Sequence, residues 1–194
     1  PQAVPGRFPR VPASGEIPYH GAPSGPGRNG KRAVLTLPGN AALSLFRKEQ
    51  LLRELTGVED LSARYVHFVD LAGELNDDER RVLERLLEYG PADTDAPVEG
   101  ETFLVVPRPG TVSPWSTKAT DICHNCGLDK VRRVERGVAW QERFVGGDTG
   151  ADHDAVARAL HDRMTEAVLH VEADAGILFS AREPEALATV DVLG

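Results

Sequence analysis

The stretch Phe103-Leu104-Val105-Val106-Pro107-Arg108-Pro109-Gly110-Thr111-Val112-Ser113-Pro114-Trp115-Ser116-Thr117-Lys118 holds a strand, a turn and a helix start in succession. The apolar run Phe103 to Val106 marks a strand covered on both faces or central in its sheet. Arg108-Pro109-Gly110 closes it with turn residues. Ser113-Pro114 opens a helix: the Ser hydroxyl accepts from the free N–H groups of the first turn, and Pro at the first helical position has no N–H to lose. Thr111, Ser113, Ser116 and Thr117 supply hydroxyls around this start, Trp115 an indole and Lys118 a charge, with no acid among them. Such a surface suits an anion or a partner, because the start of a helix is electropositive.

The alternation continues on both sides. Ala33-Val34-Leu35-Thr36-Leu37 reads as a strand closed by Pro38-Gly39. A helix is predicted from about Asn40, with Ala41, Leu45, Leu52 and Leu55 on one face and Arg47, Lys48 and Glu49 in water. Arg64 to Leu71 is the next strand, with Val66 and Phe68 on one side. Asn76 caps a second helix, with Glu79 at the capping-box position and Asp77 and Asp78 suiting the helix start. Its stripe is Val82, Leu86 and Tyr89, with Leu83 and Leu87 beside it, and Gly90-Pro91 ends it. After the Ser113 helix, Val131 to Phe144 is a long strand with Val134, Val138 and Trp140 on one side. A loop at Gly146–Gly150 leads to a last helix carrying Val156, Leu160, Met164, Ala167 and Val171 at helical spacing.

Strand-helix-strand-helix, twice, predicts an α+β fold: two similar β-α-β-α halves, about 33–90 and 101–172, sharing a sheet with helices packed on it. The polar break from Gly90-Pro91 to Gly100 divides them. Residues 1–32, rich in Pro, Gly and Arg, are expected to be a disordered extension. The folded domain is expected over 33–175, with 176–194 as a C-terminal segment.

The chain has 194 residues and a formal net charge of −8. The size suffices for one domain with a proper core. The charge argues against nucleic acid or an anionic membrane as partner, since phosphates require a basic face. No run approaches the ~20 apolar residues of a membrane span. Two cysteines without a secretory signal point to a reducing, cytoplasmic setting.

Several motifs fall short of the chemistry they suggest. Gly25 to Arg32 nearly spells a phosphate-binding loop, but Arg32 stands where a Ser or Thr must hold magnesium and no strand precedes it. Cys123 and Cys126 have the C-x-x-C spacing of metal or redox sites, yet a structural zinc needs about four ligands and there is no second pair. They fall late in the helix, where buried small residues are the simpler reading. The histidines form no ligand set, and Asp148, Asp152 and Asp154 lack the alternating ligands of a calcium loop. Asp152 and Asp154 favour a helix start instead. No catalytic, cofactor or metal residue is expected. The interface or substrate-side candidates are Arg108, Thr111, Ser113, Trp115, Ser116, Lys118 and Asp121. Lys118 and Asp121 stand one helical turn apart.

The segment Pro107–Leu128, with Thr-Val-Ser-Pro-Trp-Ser-Thr-Lys-Ala-Thr-Asp and His124-Asn125-Cys126-Gly127, resembles the N-terminal domain of the large, single-chain phosphoribosylformylglycinamidine synthases of purine biosynthesis. Tyr65–Leu71, Leu75–Glu79, Arg133–Ala139, His161–Glu166 and Val190–Gly194 are similar to the same family in the same order. The resemblance spans roughly residues 33–194. At position 123 the family commonly has a small apolar residue rather than Cys. The resemblance implies a fold like a fused dimer of the small subunit found where the enzyme is split. It implies a ligase that converts formylglycinamide ribonucleotide to its amidine with ATP, magnesium and glutamine. This chain would be a non-catalytic domain of it, inactive alone, leading into a linker and synthetase domain. Its partners would be the synthetase and glutaminase domains, which it would dock while helping to shield the ammonia route; its contact with the substrate would be indirect. Two alternatives are a substrate-anion site at the Thr111–Lys118 turn and a metal or redox module at Cys123/Cys126.

Overall fold

Strand and helix alternate through the chain as β1 (Val34–Ala41), α1 (Leu45–Glu54), β2 (Val58–Leu71), α2 (Asp77–Leu87), β3 (Glu101–Pro107), α3 (Pro114–Asn125), β4 (Val131–Phe144), α4 (His153–Leu160) and β5 (Glu166–Leu169), followed by a 3-10 helix, Glu172–Phe179. The computed structural model describes residues 34–90, 98, 100–147, 152–169 and 172–180. The extension at 1–32, Ala33, Pro91–Pro97, the near-match to a phosphate loop, Asp148, Val171 and 181–194 lie outside the described residues.

The strands form one sheet in the order β1-β2-β4-β3-β5, each neighbour antiparallel. The long β2 and β4, 14 residues each, lie at its centre, and Tyr65 pairs with Val138 at the middle of both. β1-α1-β2-α2 and β3-α3-β4-α4 are therefore two similar halves, each giving its long strand to the centre and its first strand to a flank. The α+β architecture read from the sequence is the one observed.

Alternation along β2 and β4 sorts the core. One face carries the helices in two clusters. Leu61, Ala63, Phe103, Val105 and Phe144 pack with Leu51 of α1 and Val156 and Ala157 of α4. Leu37, Val69, Val131 and Val134 pack with Leu83 and Leu87 of α2 and Cys123 of α3. The opposite face buries Val66, Phe68, Leu104, Val106 and Ala139 under Leu178 and Phe179, so apolar burial continues past residue 175. Gly137 lies where that face meets β3. A Cβ there would stand 2.9 Å from the Val105 carbonyl oxygen and 3.3 Å from the Phe68 ring, so only glycine fits without a shift.

Local departures from the sequence reading have identifiable causes. β1 does not close at Pro38-Gly39; it runs on to Ala41 through a register shift. Proline is tolerated because β1 is an edge strand. Gly39 lets the strand cross closely over β2, since a Cβ would lie 2.7 Å from the His67 ring. Ser44 rather than Asn40 caps α1, accepting from the Arg47 N–H. Leu51 is the buried residue of α1, whereas Leu45 is exposed and Ala41 belongs to β1. β2 starts at Val58, six residues before the predicted Arg64, because pairing to β4 carries the polar Glu59–Ser62 stretch into the sheet.

The Asn76–Glu79 capping box is formed in both directions. The buried stripe of α2 is Leu83 and Leu87, with Leu86 beside it; Val82 faces water. The last helix stops at Leu160. Asp162 then accepts from the Met164 N–H and the Thr165 hydroxyl, turning the chain back. Met164 is left exposed, and Ala167 falls in β5, which pairs with β3.

The α2 orientation makes a direct prediction. Leu83→Ala should cost about 2–5 kcal/mol, and Val82→Ala under about 0.5 kcal/mol, in urea unfolding of the whole chain. Equal losses would place α2 in the rotation the periodicity suggests.

Candidate functional site

β3 ends its pairing with β4 at Val105–Val138, so β4 from Val131 to about Gly137 has an edge that β3 leaves uncovered. The turn after Pro107 and the start of α3 fill that edge. The Val134 N–H donates to the Thr120 hydroxyl at 3.0 Å in place of a strand partner. Glu135, fully buried, is held from the same side. The Ser113 hydroxyl donates to its Oε2 at 2.9 Å and the Ser113 N–H to its Oε1 at 3.3 Å. Arg133 Nε donates to Oε1 at 3.1 Å, and its Nη2 reaches both that oxygen and the Thr111 carbonyl. Ser113 Oγ also accepts from the Ser116 N–H at 3.0 Å, completing the cap. The negative charge that the start of α3 attracts is thus supplied by the protein itself.

The residues nominated from sequence divide into two groups. Ser113 is bound to Glu135, Ser116 is fully buried, and Trp115 is partly buried against the sheet. Arg108, Thr111, Lys118 and Asp121 are exposed. Arg108 reaches the Met164 carbonyl at 3.4 Å, and Thr111 donates to the Arg108 carbonyl at 2.7 Å. Lys118 and Asp121 form no ion pair with each other, and among the described residues neither has another charged partner. The segment is therefore half foundation and half surface.

Behind Trp115 lies a cluster the sequence reading did not assemble. On the helix-bearing face, His67 of β2 pairs with Arg136 of β4. Trp115 stacks on His67 with ring centres 5.8 Å apart and planes at 30°. Tyr89, just after α2, meets His67 edge-on, and its hydroxyl lies 2.7 Å from His67 Nε2. The Arg136 guanidinium sits 4.4 Å from the Tyr65 ring centre and 4.8 Å from that of Trp115, and its Nη1 donates to the Tyr89 hydroxyl at 3.3 Å. These are cation–π distances. With Tyr89 accepting from Arg136, its own proton is directed to His67 Nε2, which places the imidazole proton on Nδ1. That atom is buried without a hydrogen-bond partner among the described residues. Burial, and then the Arg136 charge, lower the His67 pKa to about 4, so the ring is neutral at pH 7. Burial, opposed by Arg136, raises the Tyr89 pKa.

The other nominated chemistry resolves locally. Cys123 is buried in the α2–α3 core, and burial pushes its thiol up to about 11. Cys126 caps the end of α3 and is exposed, because Gly127 at φ 81° turns the chain away there. Asp152 caps α4 by accepting from the Ala155 N–H, with Asp154 in the first turn. Among the described residues no three His, Cys, Asp or Glu side chains converge as a metal requires, and no described helix is long and apolar enough to cross a membrane.

Glu135, Arg133, Arg136, His67, Tyr65 and Tyr89 were not among the site residues nominated from sequence, although Tyr89 was read into the stripe of α2 and the others lie in segments that carry the family resemblance. One signal was present. Arg136 stands between Val134 and Val138 on the face of β4 read as apolar, which sets a charge in the middle of a buried stripe.

Residues 64–179, more than half of the chain, match the family model described as formylglycinamide ribonucleotide amidotransferase N-terminal. The match runs from Arg64, within β2, to the end of the 3-10 helix and includes every residue of the cluster.

The lowered His67 pKa predicts a pH dependence. The unfolded chain takes up a proton near the ordinary value of 6.5, the folded one only near 4. The His67 contribution to stability is therefore full above pH 6.5 and is lost as pH drops through that window, by about 3 kcal/mol. Urea unfolding from pH 7 to pH 4 should show this slope, and His67→Phe should remove it; an unchanged slope would contradict the assignment.

Proposed function

This chain belongs to the formylglycinamide ribonucleotide amidotransferase N-terminal family, and from that premise we propose that it is a non-catalytic docking domain. The family places it as part of an enzyme of purine biosynthesis. On this reading the complete enzyme converts formylglycinamide ribonucleotide to formylglycinamidine ribonucleotide in the cytoplasm. ATP, magnesium and glutamine are handled by synthetase and glutaminase portions, and this domain holds those portions together. A packed wall next to the ammonia route would limit loss to water without itself reacting.

One observation carries the proposal. The outer side of α3 and the turn before it expose Arg108, Thr111, Lys118 and Asp121, and Lys118 and Asp121 have no charged partner within the described residues. The helix start beneath them is satisfied by Glu135, so the Lys118 and Asp121 charges are not what holds it. Charged groups of this kind gain most when a partner excludes water from them.

The same geometry weighs against a substrate-anion site at the Thr111–Lys118 turn. An external phosphate would meet the Glu135 carboxylate at the donors it needs, and like charges repel at that range. A thiol with a pKa of about 11 at Cys123 is a poor metal ligand or redox nucleophile, because the thiolate is the reactive form.

The test uses the complete enzyme. Lys118→Ala and Arg108→Ala should lower product formed per glutamine hydrolysed by about tenfold, with the KM for ATP changed less than about twofold. Parallel loss of every activity in a normally folded enzyme would argue against a coupling role.

A further inference from the structure

We propose that Arg136 is the anchor of the docking face: its guanidinium, held against the rings of Tyr65 and Trp115, receives a side-chain carboxylate from the synthetase portion of the same enzyme. This rests on the docking reading and names the chemistry of its contact.

Four observations converge on this residue. First, the guanidinium carbon lies over three rings, 4.4 Å from the Tyr65 centre, 4.8 Å from that of Trp115 and 5.9 Å from that of Tyr89, and these contacts use none of its N–H donors. Among the described residues its one hydrogen-bond acceptor is the Tyr89 hydroxyl, at 3.3 Å from Nη1. A planar fork with open in-plane donors matches a planar carboxylate in two-point contact.

Second, no carboxylate of the described residues lies within ion-pair distance of Arg136. Its neighbour Glu135 points to the other face of the sheet and is consumed by Ser113 and Arg133. His67, paired with it across the strands, is neutral at pH 7. Among the described residues this partly buried cation has no carboxylate partner, in a chain whose formal net charge is −8, and a charge removed from water is costly unless paired.

Third, Tyr65, Tyr89, Trp115 and Arg136 are all partly exposed. Aromatic rings around an Arg are the composition of residues that dominate binding energy at protein interfaces. Fourth, the cluster lies at the middle of the two central strands, next to the Tyr65–Val138 pair, where both halves of the domain meet. A partner bound there touches both halves at once.

Hydroxyl-radical footprinting, read by mass spectrometry at individual side chains, tests the proposal. The rings of Tyr65, Tyr89 and Trp115 should be reactive in the 194-residue chain. They should be protected about fivefold in the complete enzyme without substrate, as in a desolvated interface centre. In the complete enzyme Arg136→Met should restore most of that reactivity. Arg136→Lys, which keeps the charge but not the fork, should restore part of it and serves if the Met variant melts at a lower temperature. Rings equally reactive in chain and enzyme, or protection indifferent to both substitutions, would overturn the proposal. Protection that appears only on adding formylglycinamide ribonucleotide or inorganic phosphate would overturn it too, by assigning Arg136 to a free anion. Protection around Lys118 and Asp121 with the rings left reactive would keep the docking reading and remove only this contact. No protection at either place would remove both.

Discussion

The antiparallel register between β2 and β4 governs everything else in this domain. The two strands belong to different halves of the chain, and no local turn joins them, so their alignment is set by which side chains the two faces can bury. Val69 opposite Val134 and Ala63 opposite Trp140 face the helices, while Val66 opposite Gly137 and Phe68 opposite Glu135 face the 3-10 helix. A slip of one residue would exchange the faces of one strand. It would push Arg136 under Phe179 and carry Glu135 up among the aromatic rings. The narrow fit at Gly137, pressed between the Val105 carbonyl and the Phe68 ring, works against such a slip.

Adjacent residues on β4 consequently have opposite fates. Glu135 is sealed in a network with Ser113 and Arg133, where each oxygen has donors and the charge is neutralised. Arg136 lies over aromatic rings and, among the described residues, donates to the Tyr89 hydroxyl alone. The same helix start supports both: Ser113 reaches Glu135, and Trp115, two residues on, reaches His67 and Arg136. The internal carboxylate therefore holds the helix start that carries the indole against the guanidinium.

The limits of the sequence reading follow from the range of the forces involved. Asn76 with Glu79, and Ser113 with Pro114, were recognisable because capping joins groups three residues apart. The predicted end of β1 at Pro38 failed because a proline's cost depends on whether its strand is an edge, and edge position belongs to the sheet. The predicted continuation of the last helix through Met164 and Ala167 failed for a similar reason. Helical spacing of apolar residues persisted by coincidence, while the Asp162 turn and the free edge of β3 drew the chain into β5. The rotation of α2 was misread by one position, since Val82 and Leu83 are both apolar and only the sheet beneath selects between them.

What the amino-acid sequence determined unaided was the order of strands and helices as far as α4, the two-fold repetition of that order, the capped start of α3 and, through its resemblance, the family. Each follows from chemistry within a few residues or from motifs in a row. What only the folded chain decided was where the charges go. Whether Glu135 or Arg136 faces the helices, and whether the anion at the start of α3 is internal or borrowed, depends on pairing between residues some 70 positions apart, and side-chain period along one strand carries no label for its partner.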